Sequence, residues 1–315
     1  MAVSQDSLFK RSQVFSGLLR GLMAGPRRPG PALSAMDRIE GSRRADPLIP
    51  PLRDAVHTMP AGLRDALHGT WLGHPAHPAM VQIPLGTWMS AAVLDLLPGR
   101  RRAADLLIAV GLSAAAPAAL SGWADWAELR KPQMRVGLLH AASNTAAVAM
   151  YAASLSARLR GRRAVGRGWS YAGLATVSLG GALGGHLAYR QAAGVNHTDQ
   201  VAAALDPGWH PLGALDDFPV GTRVTATVRD VPVLVFRETA DTVRVLAEQC
   251  GHDGGPLSEG EIADGCVRCP WHGSTFRLTD GWNVTGPATA PQPAFETRVV
   301  DGRVEVRLPA ADKET

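Results

Sequence analysis

Apolar positions fall unevenly along the chain. From about residue 78 to 190, Ala, Leu and Gly dominate, with long stretches free of charge. The last hundred residues instead alternate short Val-rich runs with Gly, Pro and Asp, and the first seventy are basic and weakly patterned. Four middle stretches, Ala79–Leu97, Ala103–Gly122, Val136–Ala157 and Gly168–Tyr189, approach the ~20 apolar residues that carry a helix across a bilayer. The third and fourth contain no Asp, Glu, Lys or Arg. A soluble amphipathic helix shows a charged face every 3.6 residues, and these do not. A buried, Ala-rich soluble bundle is the competing reading, but four uncharged faces exceed what a bundle of this size can bury. The pattern predicts a multidomain chain: a basic, weakly structured tail (1–70), an α-helical four-span membrane bundle in contact with lipid (71–192), a linker (193–218), an all-β module (219–308) and a short tail (309–315).

Within the spans, Gly180 with Gly184 and Gly181 with Gly185 form two overlapping G-x-x-x-G pairs suited to close helix approach. Arg100, Arg101 and Arg102 follow the first span, and Arg158, Arg160, Arg162, Arg163 and Arg167 follow the third. That bias favours a cytoplasmic location for both loops, with the termini outside. Against it, residues 1–70 lack the apolar core of a signal peptide, and a long basic tail is hard to export. The three cysteines are also too few for a secreted disulfide scaffold. On this balance the C-terminal module is expected at the cytoplasmic face of the cell membrane. The net charge of +4 comes mostly from arginines in the tail and beside apolar spans. No basic face with aromatic support accompanies it, which excludes nucleic acid as a partner.

Four histidines fall near one leaflet. His74 and His77 precede the first span, His140 opens the third, and His186 sits in the last third of the fourth. Ligating side chains inside spans are functional candidates, and imidazoles here suggest a haem b or quinone site. The competing reading is structural, with His140 bonded to Asn144 one turn on.

The β-type region holds Cys250-Gly-His252-Asp-Gly-Gly-Pro-Leu and, with sixteen residues between His252 and Cys269, Cys269-Pro-Trp-His272-Gly-Ser274-Thr-Phe276. Each loop offers one thiolate and one imidazole from a tight turn. A binuclear [2Fe–2S] cluster with two Cys on one iron and two His on the other needs that split. Structural zinc would pair Cys266 and Cys269 as a knuckle, leaving Cys250-Gly-His252 as a poor partner. Cys266 then reads as a small buried strand residue. The two histidines are expected at an exposed tip, as the electron's doorway.

With those motifs in view, residues 219–308 resemble a Rieske ferredoxin-type domain, matching at every ligand position: Cys250, His252, Cys269 and His272. Residues 65–195 resemble an uncharacterised family of four-span membrane domains often fused to Rieske domains. That likeness rests on Leu67-His-Gly-Thr-Trp-Leu-Gly-His74-Pro-Ala-His77-Pro, Ser121-Gly-Trp-Ala-Asp125-Trp and Gly184-Gly-His186-Leu. The Rieske resemblance also implies differences from the respiratory branch. The positions of its loop-joining disulfide are Gly255 and Trp271, so that bridge is absent. Its cluster-facing Ser is kept at Ser274, while its Tyr is Phe276. Fewer hydrogen bonds to the cluster sulfurs imply a potential below the respiratory type.

A single cluster performs one-electron transfer and no substrate chemistry of its own, and no facial triad of two His and one carboxylate marks an oxygenase. The expected function is a membrane-anchored electron carrier serving redox partner proteins, rather than a complete enzyme. A redox sensor whose cluster state controls docking is one alternative. A tethered ferredoxin subunit of a reductase or oxygenase system is the other.

Overall fold

The computed structural model describes residues 31–309. Residues 1–30 of the expected N-terminal tail, and nearly all of the C-terminal one, lie outside the described residues. Helices α1 (Pro31–Gly41), α2 (Ile49–His57) and α3 (Ala61–His68) come first. This corrects the expectation of a weakly structured tail through residue 70. Ile49, Leu52 and Val56 share one face of α2 and pack with Trp126 and Met134, and the Arg135 guanidinium forks onto Asp46 at 2.7 and 2.8 Å. Short helices of this kind are held by tertiary packing more than by their own propensity. Gly69 ends α3 at φ 86°, a left-handed cap that glycine takes without a Cβ clash.

Next come α4 (Ala76–Met80), α5 (Gln82–Leu94), α6 (Arg101–Ala127), α7 (Lys131–Leu159) and α8 (Arg163–Gly185). They occupy the four apolar stretches. The first is interrupted at Val81, because Pro84 has no N–H to offer Met80 and its ring crowds that carbonyl. Hydrogen bonds from Val81 to His77 (3.0 Å) and from Leu85 to Val81 (3.1 Å) carry the chain through. Among the described residues one helix, α6, is long and apolar enough by itself to cross a membrane. Of the four glycines in the two G-x-x-x-G pairs, Gly180 and Gly184 meet α7, Gly181 faces open space and Gly185 lies beside Tyr189.

The remainder is all β. A six-stranded antiparallel sheet runs β1-β10-β9-β4-β3-β2, and a four-stranded one runs β5-β6-β7-β8. The strands are β1 (His210–Ala214), β2 (Arg223–Val228), β3 (Val231–Arg237), β4 (Val243–Ala247), β5 (Glu261–Ala263), β6 (Cys266–Arg268), β7 (Thr275–Arg277), β8 (Asn283–Thr285), β9 (Ala294–Val300) and β10 (Arg303–Arg307). Strand β1 pairs His210 with Val306, so the β module begins inside the stretch expected to be linker. Asp301 and Gly302 both take positive φ (49° and 72°), as a tight β9–β10 hairpin requires. The sequence 249–255 joins β4 to the small sheet, and 269–274 joins β6 to β7. A core of Leu234, Leu246, Leu257, Val267, Phe276 and Leu278 lies beneath both loops and includes Cys250 and Cys269.

Candidate metal centre

The two Cys/His loops fold identically. In the first, the Gly254 N–H donates to Cys250 O (2.8 Å) and the Cys250 N–H to Gly255 O (2.8 Å). In the second, Gly273 donates to Cys269 O (3.1 Å) and Cys269 to Ser274 O (2.8 Å). Gly254 and Gly273 stand at φ 76° and 75°, where a side chain would strain the turn. A glycine four residues after each cysteine therefore closes both loops. Backbone N–H groups of His252 and Asp253 point at the Cys250 sulfur, and those of Trp271 and His272 at Cys269.

The loops meet with like atoms together. The Cys250 thiol hydrogen-bonds to Cys269, which pulls Cys269 down to about 7 and, with burial, pushes Cys250 up. The His252 and His272 rings lie edge to face with centroids 5.0 Å apart. Burial lowers His252 to about 3, with His272, His68 and His197 adding to the shift, and burial also lowers His272. Both imidazoles are therefore neutral, the form that binds metal. The Nδ1 of His252 is buried without a hydrogen-bond partner, as an atom reserved for a metal would be. No group of three His, Cys, Asp or Glu among the described residues is placed to hold a single ion. A thiol pair beside an imidazole pair suits a binuclear cluster instead. Cys266 stays apart on β6, half-buried and unbridged.

A Cβ on Gly255 would stand 2.9 Å from the Cys269 sulfur and 3.0 Å from the Trp271 ring, so these two positions touch. Ser274 is fully buried and its Oγ accepts the Ala288 N–H (3.1 Å), which leaves its own proton to donate. Phe276 is fully buried in the apolar core with both cysteines. Sequence reasoning missed Gln292. Its amide donates to Ala247 O (2.8 Å) and Gln249 O (2.6 Å) and accepts the Gly251 N–H (3.1 Å), tying the first loop to the start of β9. A buried Gln between two prolines was the available signal.

The exposed tip expected for the histidines is absent. Arg130, between α6 and α7, pairs with Asp253 at 3.2 Å, and Asp65 of α3 accepts the Gly286 N–H at 3.0 Å. His68 faces His252, while Glu128, Arg53 and Arg130 face His272. The helical part covers the histidine side, and the exposed aromatic beside it is Trp271, centred 6.4 Å from the His272 ring.

The four membrane-region histidines do not form one site. His186 pairs with Glu40 (2.6 Å), and His74 bonds its neighbour's carbonyl, Pro75 O (3.0 Å). Only His77 and His140 meet, edge to face at 6.0 Å. Each donates Nδ1–H to a backbone carbonyl, Ala118 and Gly180 respectively, at 2.8 Å. Asn144 lies 3.1 Å from His140 Nε2. Gly122 and Gly184 pack onto the two rings, so no macrocycle-sized slot opens there. A shared height along the helices does not set the direction in which each ring points.

Residues 208–296 match the Rieske [2Fe-2S] domain family, and residues 73–197 match a family described as predicted membrane protein (DUF2231). The anthranilate 1,2-dioxygenase ferredoxin subunit of Burkholderia cepacia is 37% identical over 100 residues, 32% of this chain and 92% of that protein. The chain belongs to the Rieske [2Fe–2S] family. Ferredoxin CarAc of Metapseudomonas resinovorans is similar to the same Rieske region, 32% identical over 31% of this chain and 92% of its own. Among solved structures, a complex of reduced oxygenase and oxidized ferredoxin in carbazole 1,9a-dioxygenase shares 28% identity over 34% of this chain and 100% of that one, with a TM-score of 0.31. The Rieske domain carries a [2Fe–2S] cluster.

Proposed function

We propose that this protein is a membrane-anchored Rieske electron carrier whose cluster is held by Cys250 and Cys269 on one iron and His252 and His272 on the other. The pairing of thiol with thiol and imidazole with imidazole carries the reading. When bound, the cluster supplies a one-electron couple. The chain's own residues do the rest. Four backbone N–H groups stabilise the thiolates, Ser274 offers a hydroxyl, and Phe276 withholds one. The Trp271 edge is the face open to a redox partner protein.

Anchoring rests on an inside-out distribution of polarity. In the most apolar window of α6, 28% of residues are buried, whereas a soluble core helix would be mostly buried. Ile83, Met89, Val93, Leu106, Leu120 and Leu179 face outward, while Asp95 and Arg158 pair inside. Lipid is the solvent that accepts such a surface. In this reading α4–α5, α6, α7 and α8 are four spans, and the Rieske domain lies at the cytoplasmic face. The relatives favour a second reading, a tethered ferredoxin feeding an oxygenase.

EPR and absorption spectra of membranes containing the full chain test the centre. A rhombic Rieske signal that persists after carbonate washing and disappears in Cys250→Ser and His272→Ala is expected. A signal unchanged in both variants refutes the ligand set, and a signal released by carbonate refutes the anchor.

A further inference from the structure

The second ligand loop reads Arg268-Cys269-Pro270-Trp271-His272, which sets a cation and an indole around one thiolate and one imidazole. Cys269 is buried and His272 half-buried, while Arg268, Pro270 and Trp271 are exposed. Packing keeps the indole out. A Cβ on Gly255 would stand 3.0 Å from its ring, so the first ligand loop backs the ring and half of it is left to solvent. Trp and Arg are the residues that protein–protein interfaces concentrate at their centres.

Three guanidinium groups stand beside this loop. That of Arg268 lies 3.3 Å from where a Gly273 Cβ would be. Glu261 is the cross-strand neighbour of Arg268, yet the two form no ion pair among the described residues, and the charge is turned toward the ligand loop. Arg53 of α2 and Arg130, between α6 and α7, face His272 from the helical side.

The charges here are layered. Glu128 and Asp253, the carboxylates opposite Arg53 and Arg130, are 6% and 9% exposed at their side chains. The two arginines are 39% and 55% exposed. An approaching protein therefore meets guanidinium groups first, with the carboxylates behind them. Guanidinium forks bind carboxylates through two parallel N–H···O bonds. The edge that carries Trp271 is complementary to an acidic surface.

We propose that this edge docks an electron-transfer protein that presents carboxylates around its own redox centre. Trp271 is the apolar contact, and Arg53, Arg130 and Arg268 form the basic rim. One electron passes between the cluster and the partner's centre, and no bond forms or breaks. The rim steers the encounter and sets its orientation.

The inference names the partner class for the carrier reading above and rests on that reading. The full-length, cluster-loaded protein in neutral detergent is reduced with dithionite and freed of excess reductant. It is then mixed by stopped flow with trianionic hexacyanoferrate(III) or with tricationic tris(phenanthroline)cobalt(III), each of which takes one electron. The salt is about 0.1 M, where charges act over ~10 Å. Arg268→Glu is expected to lower the ratio of anionic to cationic rate constants roughly tenfold, with the EPR signal unchanged. Taking the ratio cancels any shift in the cluster's potential, which would move both rates the same way. Arg102→Glu makes the same change of charge at the far end of the 27-residue α6, about 38 Å away by helix rise. It should leave the ratio as in wild type. A ratio unaltered in Arg268→Glu, or lowered as much in Arg102→Glu, overturns the docking surface alone. A tenfold effect in detergent that vanishes in phosphatidylglycerol vesicles means that lipid headgroups hold the rim, and also overturns it. Absence of a rhombic Rieske signal from the reduced wild type overturns the carrier reading, and the docking surface with it.

Discussion

Position 276 shows how one atom sets the character of the centre. Phe276 is fully buried in the apolar core shared with Cys250 and Cys269, where Ser274 is the neighbouring hydroxyl. Hydrogen bonds to cluster sulfurs stabilise the reduced state and raise the potential. Phe276→Tyr should therefore shift the midpoint upward in a potentiometric EPR titration. An unchanged or lowered midpoint would remove the hydroxyl account. Gly255 is the complementary case, since a methyl there would stand 2.9 Å from the Cys269 sulfur. Overpacking of this kind costs about 1–3 kcal/mol. Gly255→Ala is expected to lower cluster occupancy, measured as iron and acid-labile sulfide per chain, and full occupancy would show that Trp271 simply swings away.

Among elements, legibility tracked how local the determining signal is. Each ligand loop is closed by a glycine four residues after its cysteine, a spacing written into eight residues of sequence, so the centre could be read directly. Helices α6 to α8 were legible from hydropathy for the same reason. Residues 31–68 were not, because α2 shows only Ile49, Leu52 and Val56 as its apolar face and depends on Trp126 and Met134 far along the chain. Gln292 was hidden likewise, its partners lying more than forty positions back. Removing it should matter. Gln292→Ala leaves three backbone groups unpaired where a buried orphan costs about 1–3 kcal/mol. Loss of the cluster chromophore on urea titration should then move to lower denaturant by at least ~2 kcal/mol. A midpoint within error of wild type would mean that water replaces the amide at no cost.

In the whole molecule, the histidine side of the Rieske domain is covered by the chain's own helices, a relation that no local pattern announced. Its clamp joins Arg130 to Asp253 across 123 positions. Among the described residues, eight buried side-chain polar atoms lack partners, and four belong to Arg53, His197, His252 and Asp253, which lie around this seam. An interface so rich in polar orphans is one that water satisfies, and it separates more readily than an apolar core. Arg130 is 55% exposed at its side chain, so the pair itself contributes little. Reversing its charge sets like charges against each other, an effect of roughly 1 kcal/mol and so about fivefold in the ratio of closed to open forms. His68 reports that ratio, because it is 3% exposed when the seam is closed. In Arg130→Glu, diethyl pyrocarbonate modification of His68, followed by mass spectrometry, is expected to run about fivefold faster than in wild type. His74, on the exposed loop, should be labelled at an unchanged rate. Equal labelling of His68 in both proteins would mean that the helices and the Rieske domain are held together by contacts other than this pair.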